Sequence, residues 1–257
     1  MTIYMQNATR PLKEAPMSEA ERKARVELAA AYRIFDMLGW SLLIFNHITL
    51  RVEGSEPRFL INPFGLHYSE ITASSLLLVD LEGNVLRESR WPMNRAGFVI
   101  HSALHESQPE AHCIMHTHTT TGMAVACLKD GLSPHNFYGA MLQGQVAYHD
   151  FEGITVEPGE KERLVRDIGD KRAVILRNHG LLAWGPSVSQ AFLTLWTLQQ
   201  ACDVQIAAAS AGAIHPVTPQ AIAISVRESG QGEKRTCEDV FAALRRKLDS
   251  IDPSYKE

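Results

Sequence analysis

The sequence is short of paired cysteines. Cys113, Cys127, Cys202 and Cys237 stand far apart and form no C-x-x-C, which excludes a disulfide scaffold or a cysteine-rich zinc module and points to a reducing cytoplasm. Charge of one sign is lacking too. Lys+Arg 25 against Asp+Glu 29 leaves a formal net charge of −4, too weak a field to recruit nucleic acid or an anionic membrane, so neither is expected as a partner. No apolar run approaches the roughly 20 residues of a membrane-spanning helix. Met1 to Pro16 lacks the apolar stretch of a secretory leader. No G-x-G-x-x-G or G-x-x-x-x-G-K loop occurs, so a nucleotide-binding reading has no motif behind it. What is there is 257 residues, 45% of them hydrophobic, ample for one compact domain or at most two small ones.

Residues 1–16, with Pro11 and Pro16, read as a flexible arm ahead of a single domain over 17–257. Ser18 followed by Glu21 has capping-box spacing and starts a helix. Val26, Ala30, Ile34, Met37 and Leu38 give that helix one apolar face, and Gly39 stops it. Leu42 to Arg51 and Arg58 to Asn62 read as strands around the turn-rich Glu53 to Pro57. A short helical stretch near Ile71 to Ser74 precedes the strand Leu76 to Leu81, and Glu82-Gly83-Asn84 turns that strand into Val85-Leu86. Helices are expected over 98–106, 122–128 and 160–168. Cys113 to His116 reads as a buried strand, and Ala173 to Leu176 and Leu181 to Trp184 flank the tight hairpin tip Asn178-His179-Gly180. The longest helix, Val188 to Ser210, is apolar around much of its girth, and a helical extension over about 216–257 closes the chain. Hairpin strands interleaved with helices argue for an α/β fold whose mainly antiparallel or mixed sheet carries helices.

Eleven histidines are present, and their placement matters more than their number. His116 and His118 lie two apart at the end of a strong apolar strand, where alternate residues share a face. Two imidazoles on one face can begin a zinc-type site, and His179 at the hairpin tip is the candidate third ligand. Such a site, with one position open, would activate a water or polarise a carbonyl. Hydrogen-bonded core histidines would show the same H-x-H, so spacing alone leaves both readings open.

Several segments, in order, carry a family likeness: Phe45-Asn46-His47-Ile48-Thr49-Leu50-Arg51, Asn62-Pro63-Phe64-Gly65, Ala96-Gly97-Phe98-Val99-Ile100-His101, His116-Thr117-His118-Thr119 and Leu176-Arg177-Asn178-His179-Gly180. Over residues 46–209 the chain resembles the class II aldolase/adducin family. The run Phe59 to Leu76 and the segment Gly144 to Asp150 are most like adducin head domains and their bacterial relatives. The resemblance implies a three-layer α/β/α fold around a mixed sheet. It also implies one divalent metal ion, zinc by preference, held by His116, His118 and His179, and aldol-type lyase chemistry in a homotetramer.

Two departures qualify what the resemblance implies. The family's aldolases carry an acid/base glutamate four residues before the helix histidine, and here that place is Gly97. Their phosphate-binding small residues give way to Phe45-Asn46, Asn62-Pro63-Phe64-Gly65 and Arg95-Ala96. A small unphosphorylated carbonyl or hydroxy-acid substrate is therefore expected for aldol cleavage, epimerisation or decarboxylation. Asn46, Gly65 and Arg95 are candidate substrate contacts. Tyr138, Tyr148, His149 and Glu106 are candidates for the missing proton-transfer group, with Glu70 and His135 behind them. The competing reading is a non-catalytic, adducin-like interaction domain. No basic tail follows Leu244-Arg245-Arg246-Lys247-Leu248, so an actin or other cytoskeletal partner is not expected.

Overall fold

The computed structural model describes residues 17–257 apart from 55, 154–157 and 230–232; the arm over 1–16 lies outside the described residues. Helix α1 spans Glu19–Met37, and the Ser18 side chain accepts from the Glu21 backbone N–H at its start. The reciprocal half of the expected capping box is not made. Glu21 is instead buried and accepts from Arg25 at 2.9 Å and from Arg87 at 2.9 Å. Gly39 follows the helix at φ +73°, the left-handed backbone that a stop glycine provides.

Seven strands form one sheet in the order β3-β2-β1-β4-β7-β6-β5. They are β1 (His47–Val52), β2 (Arg58–Ile61), β3 (Leu77–Val79), β4 (Cys113–Thr117), β5 (Val146–His149), β6 (Ala173–Leu176) and β7 (Gly180–Gly185). Only β5 and β6 run parallel; every other neighbouring pair is antiparallel. This is the expected mixed, mainly antiparallel sheet. β1 begins at His47 rather than Leu42, because residues 42–46 turn, with Leu43 at φ +51° and Asn46 at φ +70°. The helical stretch expected at 71–74 is a 3-10 turn, Tyr68–Glu70, capped by His67 and Glu70.

Alternation along the strands sorts the core into layers. Ile48, Leu50, Cys113, Met115, Leu181 and Ala183 face α1, the small helix α3 (Thr120–Ala126), the long helix α6 (Val188–Ala211) and α8 (Glu233–Ile251). Ile114, Val174, Leu182 and Trp184 face α2 (Arg95–Ser107) and α5 (Pro158–Ile168) on the other side. α6 lies against β7, α3 and α8, so much of its apolar girth is packed within the chain. α4 (Phe137–Met141) and α7 (Pro219–Ser229) pack together beside α6. Within the 216–257 segment, α8 also packs on α1.

The β6–β7 hairpin that carries His179 closes with Leu176 paired to Gly180, and Asn178 sits at φ +57°. Asparagine tolerates that backbone; a β-branched residue does not. Asn178→Val is expected to lower unfolding stability by about 1–2 kcal/mol, while Asn178→Gly stays within about 0.5 kcal/mol of the parent. Urea unfolding of both variants measures the difference.

Candidate metal and substrate site

One end of the sheet gathers histidines from β1, from β4 and its C-terminal exit, and from the β6–β7 turn. The β1–β4 register sets His47 opposite His116, and the β4–β7 register sets His116 opposite Leu182. β4 ends at Thr117, so His118 emerges just beyond the ladder, and Thr119 then caps α3 by accepting from the Gly122 N–H. The β6–β7 tip delivers His179 to the same place. The ring centroids of His116 and His118 lie 4.5 Å apart, and His179 is 4.8 Å from each. One nitrogen from each of the three falls within 4.8 Å of the others.

The surroundings fit a cation. His116 Nδ1 lies 2.8 Å from the Leu181 carbonyl oxygen; a carbonyl only accepts, so Nδ1 carries the proton and Nε2 keeps a lone pair. Such a backbone partner is what fixes the tautomer of a metal-binding histidine. That Nε2 is 2.7 Å from His118 Nε2, so with no cation bound the His116 lone pair accepts a hydrogen bond from His118 Nε2–H. Gly180 lies beneath the rings: a Cβ there would come within 2.4 Å of the Thr117 carbonyl oxygen and 2.9 Å of the His118 ring. The position accepts only glycine while the imidazoles keep their places.

Electrostatics hold the rings in the ligand form. Burial pushes the His116 pKa well below 6.5, and the neighbouring His179, His118 and His47 add to that. Burial and His179 bring His118 down to about 4. Burial, then His149, lowers His179. Neutral imidazole is the form that binds a cation.

A second set of histidines lies behind the first, and the sequence reading missed it as a set. His47 Nδ1 is 2.9 Å from His101 Nε2, the Thr49 hydroxyl is 2.7 Å from both His101 Nδ1 and His105 Nε2, and His105 Nδ1 is 2.7 Å from the Ala111 carbonyl oxygen. The signal was available: His101 and His105 share a helix face at i, i+4, and His47 and Thr49 share a strand face at i, i+2. The ring of His47 fills the space that a side chain at 97 would need. A Cβ on Gly97 would lie 2.1 Å from His47 Cδ2 and 2.2 Å from its Nε2.

The other candidates separate. Asn46 is 4% exposed, and neither its amide nitrogen nor its oxygen has a hydrogen-bond partner among the described residues. Gly65, at φ +114°, serves a turn against the Trp91 ring. The Arg95 side chain lies outside the described residues. Tyr138 packs edge-on against Trp196 with ring centroids 5.5 Å apart. Tyr148 accepts from the Leu132 N–H at 3.0 Å beneath the Arg177 guanidinium. His149 is buried, with Nδ1 2.8 Å from Asp167. Glu106 is solvent-exposed, nine residues along α2 from Gly97 and so roughly 13 Å away by helical rise; it is not brought to the site. Glu70 is engaged in the 3-10 cap, and His135 accepts from the Val217 N–H.

Comparison with known proteins gives a consistent picture. Residues 26–206 match the family model described as Class II Aldolase and Adducin N-terminal domain. A Pseudomonas aeruginosa protein, provisionally named a class 2 aldolase, is 43% identical over 95% of this chain and 96% of its own. Alpha-adducin of Rattus norvegicus is 46% identical over 76% of this chain, which spans 27% of that protein. The solved L-fuculose 1-phosphate aldolase from Glaciozyma antarctica PI12 superposes with a TM-score of 0.81 at 30% identity, covering 96% of this chain and 97% of that one. No helix among the described residues is long and apolar enough to cross a membrane.

The buried imidazoles make stability pH-dependent in a definite direction. His47, His101, His105, His116, His118 and His179 all have pKa values below 6.5 when folded. The unfolded chain therefore binds more protons below about pH 6.5. Stability is fully present above that pH and falls as the solution is acidified, by up to about 1.4 kcal/mol per pH unit for each ring. Urea titrations of chelator-treated protein between pH 8 and 5 are expected to show the loss setting in below pH 6.5.

Proposed function

The chain belongs to the class II aldolase and adducin family, and we propose that it is a divalent-metal-dependent, lyase-type enzyme acting on a small unphosphorylated hydroxy-carbonyl or hydroxy-acid substrate. The observation that carries this reading is the convergence of His116, His118 and His179, with nitrogens within 4.8 Å of one another. Three neutral imidazoles with a further position open suit zinc, and the Leu181 carbonyl gives His116 its expected support. Such an ion, when bound, polarises a carbonyl and stabilises the negative charge that aldol cleavage, epimerisation or decarboxylation develops on oxygen.

The chain's own residues supply binding and selectivity. Asn46 offers a buried donor and acceptor with no other partner among the described residues, the state of a side chain awaiting a ligand's oxygen atoms. Phe45 and Phe64, with ring centroids 6.4 Å apart, bring apolar rings to positions where the resemblance to sugar-phosphate aldolases implies small hydrogen-bond donors. Asn62 accepts from the Tyr32 hydroxyl at 2.8 Å and is committed to the core. These features favour an unphosphorylated substrate. Leu43, Phe137 and Phe151 are exposed, and Phe151 lies edge-on to His179 at 6.2 Å. Exposed apolar side chains, Phe151 among them beside His179, support a homo-oligomer, a tetramer by family likeness, in which a neighbouring copy borders each site.

Protein purified without chelator is expected to hold about one divalent ion per chain. His116→Ala and His179→Ala should each weaken binding by more than the roughly hundredfold that loss of a supporting group costs, and abolish aldehyde release from small 2-hydroxy-carbonyl substrates. Protein that binds no metal, with stability unchanged in both variants, would favour the non-catalytic adducin-like domain instead. Sedimentation at micromolar concentration is expected to show a tetramer; monomer alone would refute the assembly.

A further inference from the structure

The hydrogen-bond chain behind the triad has a direction. The Ala111 carbonyl can only accept, so His105 Nδ1 carries a proton. Burial holds His105 neutral, with its pKa down at about 3, so its Nε2 accepts and the Thr49 hydroxyl must donate to it. That hydroxyl has one proton. Having given it to His105, it accepts from His101 Nδ1–H. Buried, neutral His101 then has a lone pair on Nε2, which accepts from His47 Nδ1–H. Each step leaves the next ring a single choice, and the chain ends with His47 Nε2 unprotonated. A free neutral histidine favours the opposite tautomer, and the partner of the other ring nitrogen decides which one is present.

The bare nitrogen stands in a telling place. The Cδ2–Nε2 edge of His47 occupies the space over Gly97, where a Cβ would be 2.1–2.2 Å away, and the His47 ring centroid is 5.3 Å from that of His116. Nε2 has no hydrogen-bond partner among the described residues, and the residue is 5% exposed. His47 Nε2 does not join the close nitrogen cluster of His116, His118 and His179, so it borders the triad rather than completing it.

We propose that His47 is a substrate-binding residue whose locked Nε2 lone pair accepts a hydrogen bond from a ligand hydroxyl beside the imidazole triad. The ligand class is a compound with an O–H next to its carbonyl or carboxylate oxygens, a small 2-hydroxy acid or 2-hydroxy carbonyl. The choice of ligand rests on the metal-site reading above; the locked tautomer does not. A ligand lacking that hydrogen, such as an ether of the same acid, meets lone pair against lone pair.

Two measurements test this. Long-range proton–nitrogen spectra of the metal-free protein should show His47 with a protonated, pyrrole-type Nδ1 and a bare, pyridine-type Nε2. Thr49→Ser should keep that pattern, and Thr49→Val should disturb it. A pyrrole-type Nε2 in the parent protein would overturn the proposal. In the zinc-loaded protein, glycolate should bind about three- to tenfold more tightly than methoxyacetate, the worth of one hydrogen bond, and His47→Phe should erase the preference. Equal binding of the two acids by the parent, or an unchanged preference in His47→Phe, would overturn the ligand assignment while leaving the metal site standing. Failure to bind zinc would overturn the metal-site reading and the ligand assignment together, with the tautomer spectrum still deciding whether the lone pair is locked.

Discussion

Keeping imidazole rings buried and neutral is the constraint on which this site depends. A protonated ring in that interior would lack water and face other rings of like charge. The fold meets the constraint with fixed acceptors and short hydrogen bonds: the Leu181 carbonyl for His116, the Ala111 carbonyl for His105, and the Thr49 hydroxyl between His101 and His105. The rings are then available as nitrogen donors without competition from protons. The same arrangement costs stability in acid, because every one of these rings must be charged in the unfolded chain before it can be charged in the folded one. Ligand capability and acid sensitivity are therefore two consequences of one burial.

The sheet makes the arrangement possible. In an antiparallel pair the residues opposite one another are fixed by register, and a slip of one position would turn His47 and His116 to the other face. Ile48, Leu50, Cys113 and Met115, buried against the α1–α6 layer, prevent such a slip, because their own face has no room for imidazoles. The hydrophobic core thus aims the histidines. The Gly180 contact acts in the same way on a smaller scale, since a side chain there would collide with the rings and with the Thr117 carbonyl.

Much of this was legible along the chain. The Ser18 cap, the Gly39 stop, the hairpin around Asn178 and the long α6 all follow from local rules of capping, periodicity and turn chemistry, and each stands where those rules put it. Short elements were harder. α4 has five residues and β5 four, too few for a period to declare itself, and β5 exists through its parallel pairing with β6 rather than through its own pattern. Glu21 shows a local rule overridden: it has the right spacing to cap α1, but two guanidinium partners, buried Arg25 and half-buried Arg87, outweigh one backbone N–H. The histidine chain was hidden for another reason. Its members come from β1 and α2, more than fifty residues apart, and the fold alone joins the i, i+2 pattern of one to the i, i+4 pattern of the other.

Gly97 shows why sequence comparison by position has a limit here. Taken alone, a glycine where related aldolases carry an acid/base glutamate implies a site that has lost its chemistry. The structure shows the position filled from outside. The His47 ring stands where the side chain of residue 97 would begin, so a glutamate at 97 and an imidazole at this orientation of His47 exclude each other on steric grounds. In this chain the space beside the helix at 97 is taken by a ring from the adjacent strand. The chemistry offered differs as well. A carboxylate brings negative charge and can leave or join a cation, whereas a neutral imidazole pinned at Nδ1 brings a lone pair of fixed direction and no charge. Such a lone pair is suited to the proposed recognition of a neutral hydroxyl beside the histidine triad.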